Sequence, residues 1–326
     1  MSGSRVLPRV VVALAVIVIA ALVLADRPLT PAPFPSHARP PEDVGEALDR
    51  VAALGAAEGP EISPECRTLL LWHGERTPRV VLLLHGLTNC PEQFRLLGER
   101  LYARGANVLI PRLPEHGRAD RMTTALARIR AGELCAFTDR AVDIARGLGD
   151  SVVVVGLSVG GTMAAWAAQE RADVRRAVVI APLIGYAGAR GWLTPALTRL
   201  GLTMPNTFVW WDSKARENLA GPRHVYPRFA SRAAVETLLL GAAVQSRAAE
   251  DPPAARSIVM VTVGGDHGAD NAATARLVRA WSGHGGDVLT WEFPARLHLN
   301  HDIIDPEQVG GNPALVYPVL DRLILP

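Results

Sequence analysis

The sequence has almost no charge imbalance and only three cysteines, and both features narrow its possible functions. Its 34 Lys and Arg residues against 32 Asp and Glu leave a formal net charge of +2. No basic run is interleaved with aromatic side chains, as a nucleic-acid-binding surface requires, so no nucleic-acid partner is expected. Three cysteines allow at most one internal disulfide, and their spacing matches no metal motif. We expect buried structural roles for Cys66, Cys90 and Cys135, and the sequence does not select a disulfide pair.

A long apolar run occurs at the N-terminus. Arg5 and Arg9 precede an unbroken apolar stretch over residues 10–25. The pattern fits a secretory signal peptide cut after Ala25, and it fits almost equally an uncleaved membrane anchor with its N-terminus inside. A buried core helix is the third alternative. The first two predict that residues 1–27 export the protein, which is then secreted or held at a membrane.

A proline-rich stretch follows this apolar run. Six prolines fall between residues 28 and 41, a density that favours an extended, semi-rigid spacer. We therefore predict a linker over residues 28–45 and one folded domain over residues 46–326. A length of 326 residues with 49% hydrophobic content suits a single large domain better than two.

The domain alternates short aliphatic runs with segments of helical period. This alternation is typical of a mostly parallel α/β sheet with helices on both faces. The predicted strands cover residues 80–84, 107–110, 151–155, 177–180, 257–263 and 288–293. The predicted helices cover residues 91–104, 123–148, 162–169, 272–281 and 312–325.

The interval between residues 180 and 257 is longer than a crossover connection needs. Residues 183–229 contain Trp192, Trp210 and Trp211 with several prolines and glycines, which predicts an inserted cap. The tryptophans either pack within the insertion or form an apolar wall that faces a substrate.

A candidate nucleophile lies where a valine strand runs into an alanine-rich helix. The segment reads Gly-Leu-Ser-Val-Gly from Gly156 to Gly160, with Ser158 at its centre. In a strand, turn and helix of this kind, the serine occupies a strained turn, and side chains at positions 156 and 160 would collide. The turn raises the Ser158 hydroxyl to the positive end of the following helix.

Two backbone amides are candidates for an oxyanion hole. One belongs to Val159, the residue after the nucleophile, and the other to Leu87, in the His-Gly-Leu-Thr loop that leaves the first predicted strand. Gly86 lets that backbone turn. His85 precedes the nucleophile in the chain, so we interpret it as a residue that orients the loop.

An acid and a histidine should follow Ser158 in that order, each after a late strand. Asp266 is the candidate acid, and Asp270 is its competitor, although Asp270 also suits a helix cap. His301 is the candidate base, with His298 as the alternative.

Together these segments resemble the α/β-hydrolase superfamily, near its carboxylesterase, lysophospholipase and monoacylglycerol lipase branches. The resemblance runs from about Leu69 to the C-terminus. It implies an eight-stranded, mostly parallel sheet, a cap after the sixth strand, and a Ser-Asp-His triad without cofactor or metal. Residues 107–117 resemble a family segment that commonly reads Asp-x-x-Gly-His-Gly. Pro114 and Glu115 depart from it, which leaves no substrate role assigned to His116.

The predicted function is therefore hydrolysis of a small-molecule acyl ester through an acyl-enzyme intermediate at Ser158. An acyltransferase or thioesterase using the same triad is the first alternative. A non-catalytic binding protein on a hydrolase fold is the rival from another class.

Overall fold

A computed structural model describes residues 33–188, 191–211, 216, 219, 221–308 and 311–326, without the side chain of Trp192. Residues 1–27, where a signal peptide or membrane anchor is predicted, lie outside this description. None of the helices in the described ranges combines the length and the apolarity needed to cross a bilayer.

A seven-stranded sheet forms the centre of the described chain. Its strands are β1 (Leu69–Leu71), β2 (Thr77–Leu84), β3 (Asn107–Ile110), β4 (Gly149–Leu157), β5 (Val174–Ile180), β8 (Ile258–Val263) and β9 (Val288–Phe293). Their spatial order is β1-β3-β2-β4-β5-β8-β9. β1 is antiparallel to β3, and every other pair is parallel. The mostly parallel sheet predicted from the sequence is confirmed.

The number of strands differs from the eight that the resemblance implies. The described residues before β1 form a helix, α1 (Val44–Ala56), and a 3-10 turn (Pro64–Cys66), not a further strand. The physical reason is local. Asp43 caps α1 by accepting a hydrogen bond from the Glu46 amide, and the alanine-rich sequence that follows favours a helix.

Helices cover both faces of the sheet. They are α2 (Glu92–Ala103), α3 (Ala131–Leu148), α4 (Val159–Glu170), α5 (Thr194–Thr203), α6 (Ser231–Glu250), α7 (Asn271–Gly283) and α8 (Pro313–Ile324). Alternate strand residues point to opposite faces, so Val152 and Val154 join the core beneath α3 and α4, whereas Val153 and Val155 join the core beneath α2 and α8. The valine run of β4 is buried on both faces, as predicted.

The helix predicted over residues 123–148 starts later than expected. Residues Ala125–Arg128 form a 3-10 turn, and Arg130 has an extended backbone before α3 begins. Glu236, 105 residues away on α6, accepts a hydrogen bond from the Ala131 amide at 3.1 Å. A side chain from a distant helix therefore accepts the hydrogen bond of the first amide of α3. No local sequence pattern marks where α3 begins.

The predicted insertion follows β5, the fifth strand of the seven. Its described part contains a 3-10 turn (Gly191–Leu193), α5, and a hairpin of β6 (Phe208–Trp210) and β7 (Arg228–Ala230), after which α6 returns to the sheet. Trp211 is 40% exposed, so it is not part of a buried core. Its indole donates to the carbonyl oxygen of Tyr226.

Residues 33–41 contain no helix or strand, and they are bound to the domain. The indole of Trp166 on α4 donates to the carbonyl oxygen of Phe34 at 2.8 Å. The Arg39 amide donates to Asp143 on α3 at 2.8 Å. The segment is therefore not a free spacer, and α1 starts at Val44, inside the predicted linker.

One disulfide joins Cys66 and Cys90, while Cys135 is a buried free thiol. The bond ties the 3-10 turn before β1 to Cys90, two residues before α2 begins. It therefore braces the loop that leaves β2.

Candidate active site

Four loops with predicted site residues leave the same edge of the sheet. β2, β4, β8 and β9 are mutually parallel, so their carboxyl ends meet at one edge. His85 follows β2, Ser158 follows β4, and Asp266 comes three residues after β8 ends. His301 lies in the loop after β9. This edge is where open α/β sheets usually carry their sites.

Ser158 occupies a strained turn between β4 and α4. Its φ of 59° lies in the left-handed region, which side chains adopt only at a cost. The Ser158 amide donates to the carbonyl oxygen of Ile180 at 3.0 Å, and its own carbonyl oxygen accepts from Leu183 and Thr162. These bonds hold the strained backbone, and the Ser158 side chain remains partly exposed.

The glycines around Ser158 are sterically required. A Cβ at Gly156 would lie 2.0 Å from the carbonyl oxygen of Gly160, and a Cβ at Gly160 would lie 1.9 Å from the carbonyl oxygen of Leu84. Both distances are far inside van der Waals contact. A side chain at either position would therefore collide with the backbone, as the sequence pattern predicts.

The loop after β2 lies beside Ser158. A Cβ built on Gly86 would stand 3.8 Å from the Cβ of Ser158. The carbonyl oxygen of Gly86 accepts from the Asn89 amide at 3.2 Å and lies 3.0 Å from Nδ1 of His85. In a trans peptide the C=O and the next N–H point in opposite directions. The Leu87 N–H is therefore turned away from His85 and Asn89.

His85 fixes that peptide through its tautomer. Its Nε2 accepts a hydrogen bond from the Leu113 amide at 3.1 Å, so the proton of the neutral ring is on Nδ1 and is donated to Gly86. Burial, together with the neighbouring His116, holds the pKa of His85 well below its usual value, which keeps the ring neutral. These contacts are those of a loop-orienting residue, as predicted.

The His116 ring also packs against this loop and does not reach solvent. It is fully buried, and its Nε2 lies 2.7 Å from the carbonyl oxygen of Leu87. Burial lowers its pKa to about 4. In the described part of the chain, the Leu87 and Val159 amides donate to no protein acceptor, which leaves both N–H groups for an anionic oxygen.

Asp266 and His301 are hydrogen-bonded. Asp266 Oδ2 lies 2.7 Å from His301 Nδ1, and the Asp266 side chain is fully buried. Asp266 Oδ1 accepts from the amides of Gly268 at 2.6 Å and Ala269 at 3.1 Å. Burial favours a neutral acid, but the bond to His301 and these amides outweigh it and lower the pKa of Asp266.

The same pair raises the pKa of His301. Burial opposes charge on the ring, but the hydrogen bond to Asp266 and the charge of Asp266 favour the imidazolium. The imidazole is 30% exposed, so it remains accessible from outside. The arrangement suits a histidine that accepts a proton during a reaction.

The two competing residues lie outside the Asp266–His301 pair. Asp270 caps α7 by accepting from the Ala272 amide at 2.8 Å, as its position in the sequence suggested. His298 is exposed and has a left-handed backbone, with φ of 50°, at the end of the 3-10 turn Ala295–Leu297. Within the described residues, no hydrogen bond joins the Ser158 hydroxyl to His298 or His301. Catalytic contacts of this kind often form only with substrate bound.

A buried polar cluster beside the site was not predicted from the sequence. Gln93 and Asn89, near the start of α2, bond to Asp302 and Asp305 in the His301 loop, and Asp305 bonds to His224 of the insertion. The only local signal is a polar side chain on the buried face of α2. Among the described residues, no group of three His, Cys, Asp or Glu side chains could hold a metal ion.

Comparison with known proteins defines the class. The model of the alpha/beta hydrolase family matches residues 81–308, which include both the Ser158 turn and the Asp266–His301 pair. The chain therefore belongs to the alpha/beta hydrolase family.

Several proteins similar to this chain are lipolytic enzymes. The chain is 30% identical over 109 residues to a thermostable monoacylglycerol lipase of Bacillus sp. (strain H-257), and the match spans 32% of this chain but only 40% of that lipase. Among solved structures, one from the study of LipS and LipT, two metagenome-derived lipolytic enzymes, has a TM-score of 0.57 at 18% identity, over 81% of this chain and 98% of its own. A soluble variant of monoglyceride lipase from Saccharomyces cerevisiae has a TM-score of 0.58 at 15% identity, over 79% and 90%. At these identities the structures show the fold.

Proposed function

We propose that this protein hydrolyses carboxylic esters with Ser158 as nucleophile, His301 as general base and Asp266 as the acid that orients it. The observation that carries this proposal is the 2.7 Å hydrogen bond between Asp266 and His301 at the sheet edge where Ser158 occupies its strained turn. Asp266 fixes the His301 tautomer, because a proton on Nδ1 leaves Nε2 free to accept another.

The reaction proceeds in two acyl transfers. As the Ser158 oxygen attacks the ester carbonyl carbon, His301 Nε2 takes the hydroxyl proton, and the carbonyl oxygen becomes an oxyanion. The amides of Leu87 and Val159 donate to this oxyanion. The imidazolium then protonates the departing alcohol, which leaves an acyl group on Ser158. Water, deprotonated by His301, attacks that ester and releases the acid and the free serine.

Esters with an apolar acyl or alkyl part are the proposed substrates. The insertion after β5 exposes apolar side chains, among them Leu200, Met204 and Trp211. The relative from Bacillus sp. is a monoacylglycerol lipase, which supports the same choice. A series of acyl esters of graded chain length would define the preference.

The decisive experiment compares Ser158→Ala with Ser151→Ala, a serine at the other end of β4. Ser158→Ala should lose both ester hydrolysis and labelling by a fluorophosphonate, whereas Ser151→Ala should keep both. Full activity in Ser158→Ala would refute the nucleophile, and an unlabelled wild-type chain would favour a binding protein. A competing alcohol or a thioester in the same assay separates the hydrolase from an acyltransferase or thioesterase.

We further propose that the domain acts outside the cytoplasm, exported by residues 1–27. The Cys66–Cys90 disulfide supports this, because such bonds persist mainly in oxidising compartments. Thiol labelling of the protein in its cells, with and without reductant, tests the compartment. The N-terminal residue of the mature chain distinguishes a cleaved signal peptide from a retained anchor.

A further inference from the structure

We propose that Gln93 is a positioning residue that couples the oxyanion loop to the His301 loop, an inference that rests on the proposed function. The carboxamide of Gln93 lies between the two loops and bonds to both. Its Oε1 accepts from the Gly86 amide at 2.8 Å, and its Nε2 donates to Asp302 Oδ2 at 2.7 Å. Asp302 is the residue after His301.

The orientation of this carboxamide is determined by its partners. One partner is an N–H donor and the other a carboxylate, so a reversed amide would face a donor with a donor and an acceptor with an acceptor. Gln93 is 2% exposed, and water cannot replace either bond without rearrangement. Both loops are therefore bound to one rigid group at the start of α2.

Asp302 transmits this contact to the histidine loop. Its Oδ1 accepts from the amides of Ile304 and Asp305, both at 3.0 Å, so the carboxylate fixes the backbone directly after His301. Its Oδ2 also receives a 3.3 Å hydrogen bond from Asn89. Gln93 thus links the Gly86 amide, one residue before Leu87, to the backbone that carries His301. The Leu87 N–H and the His301 ring act together only in the transition state.

The cluster continues from Asp302 into the insertion. Asn89 donates to Asp305 Oδ2 at 3.1 Å, and that oxygen lies 2.8 Å from His224 Nε2. Asp305 and His224 are 1% and 7% exposed. Because this second anchor does not involve Gln93, a change at position 93 should loosen the loop near His301 without releasing the insertion.

The test is a charge swap. In Gln93→Glu, a carboxylate would still accept from Gly86 but would face Asp302, which repels it. In the double variant Gln93→Glu/Asp302→Asn, the amide nitrogen of residue 302 donates to residue 93, and its oxygen still accepts from Ile304 and Asp305. Asn89 loses its 3.3 Å acceptor at residue 302 but keeps Asp305 Oδ2. We expect kcat per fluorophosphonate-titrated site to fall roughly 10- to 100-fold in Gln93→Glu, with KM little changed, and to recover most of the loss in the double variant.

A second readout checks that the substitution is felt at the His301 ring. An NMR pH titration of the His301 ring should give a higher pKa in Gln93→Glu, because a carboxylate is added near the ring, and a return towards the wild-type value in the double variant. An unchanged kcat per titrated site in Gln93→Glu would overturn the proposal, whatever the His301 titration or the melting temperature shows. Ester turnover and labelling of the wild-type protein report on the proposed function separately, so its failure is distinguishable from a failure of the coupling through Gln93.

Discussion

Replacing Asp266 by asparagine tests the proposed triad most directly, because the structure determines how the new side chain would lie. Asp266 Oδ1 accepts from two backbone amides, Gly268 and Ala269. The asparagine oxygen must remain on these donors, so its NH₂ group faces His301 Nδ1. That nitrogen then becomes an acceptor, and the ring proton moves to Nε2, the atom that has to deprotonate Ser158. The variant therefore stabilises the wrong tautomer.

The expected loss is large and specific. Holding a triad histidine in the wrong tautomer costs about 10⁴-fold in kcat, equivalent to about 5.5 kcal/mol of activation free energy. The assay is kcat and KM for a short acyl ester near neutral pH, with active sites counted by fluorophosphonate. Asp270→Asn is the matched control, since asparagine can cap α7 as aspartate does and activity should stay within about twofold. Activity of Asp266→Asn within tenfold of wild type would refute the reasoning.

Three further predictions concern pH, the serine turn and the disulfide. Because the pKa of His301 is raised and the base must be neutral, the acid limb of kcat/KM should lie above pH 6.5, and a pH-rate profile with a lower limb contradicts this. Because its pKa is raised in the folded state, His301 stabilises the fold below the pKa of the unfolded state. This contribution is lost as the pH rises through the folded-state pKa. Gly160→Ala should lower the free energy of unfolding by at least about 3 kcal/mol, as measured by urea denaturation. Gly283→Ala, with no atom within 4 Å of the new Cβ, should change it by less than about 1 kcal/mol. Removing Cys66 and Cys90 together should cost roughly 3 kcal/mol, and reductant should cost the wild type the same amount; no effect of reductant would contradict it.

The elements that the sequence predicts well are those with a local cause. At Gly156 the steric constraint lies within five residues, because a Cβ there would meet the carbonyl oxygen of Gly160. The β4 valine run reports burial on both faces. Asp270 caps the helix directly after it. In each case the pattern itself is contained in a short stretch of the chain, so it can be recognised without knowledge of the fold.

The elements that escaped prediction depend on contacts between distant residues. The first amide of α3 donates a hydrogen bond to Glu236, and Gln93 donates to Asp302, which is 209 positions away in the chain. The choice between His298 and His301 depends on which ring reaches Asp266. That is set by the 3-10 turn before His298 and by the loop beyond it. A single sequence carries no record of such pairings.

The attachment of Phe34 and Arg39 to the body of the domain decides where a shortened chain has to begin. Asp139 and Asp143 each share their oxygens between Arg171, which is 1% exposed, and the backbone of residues 37 and 39. A truncation at residue 41, the end of the proline-rich stretch, would leave both carboxylates with unsatisfied acceptors. It would also deprive the Trp166 indole of its acceptor. A recombinant catalytic domain should therefore start before Phe34.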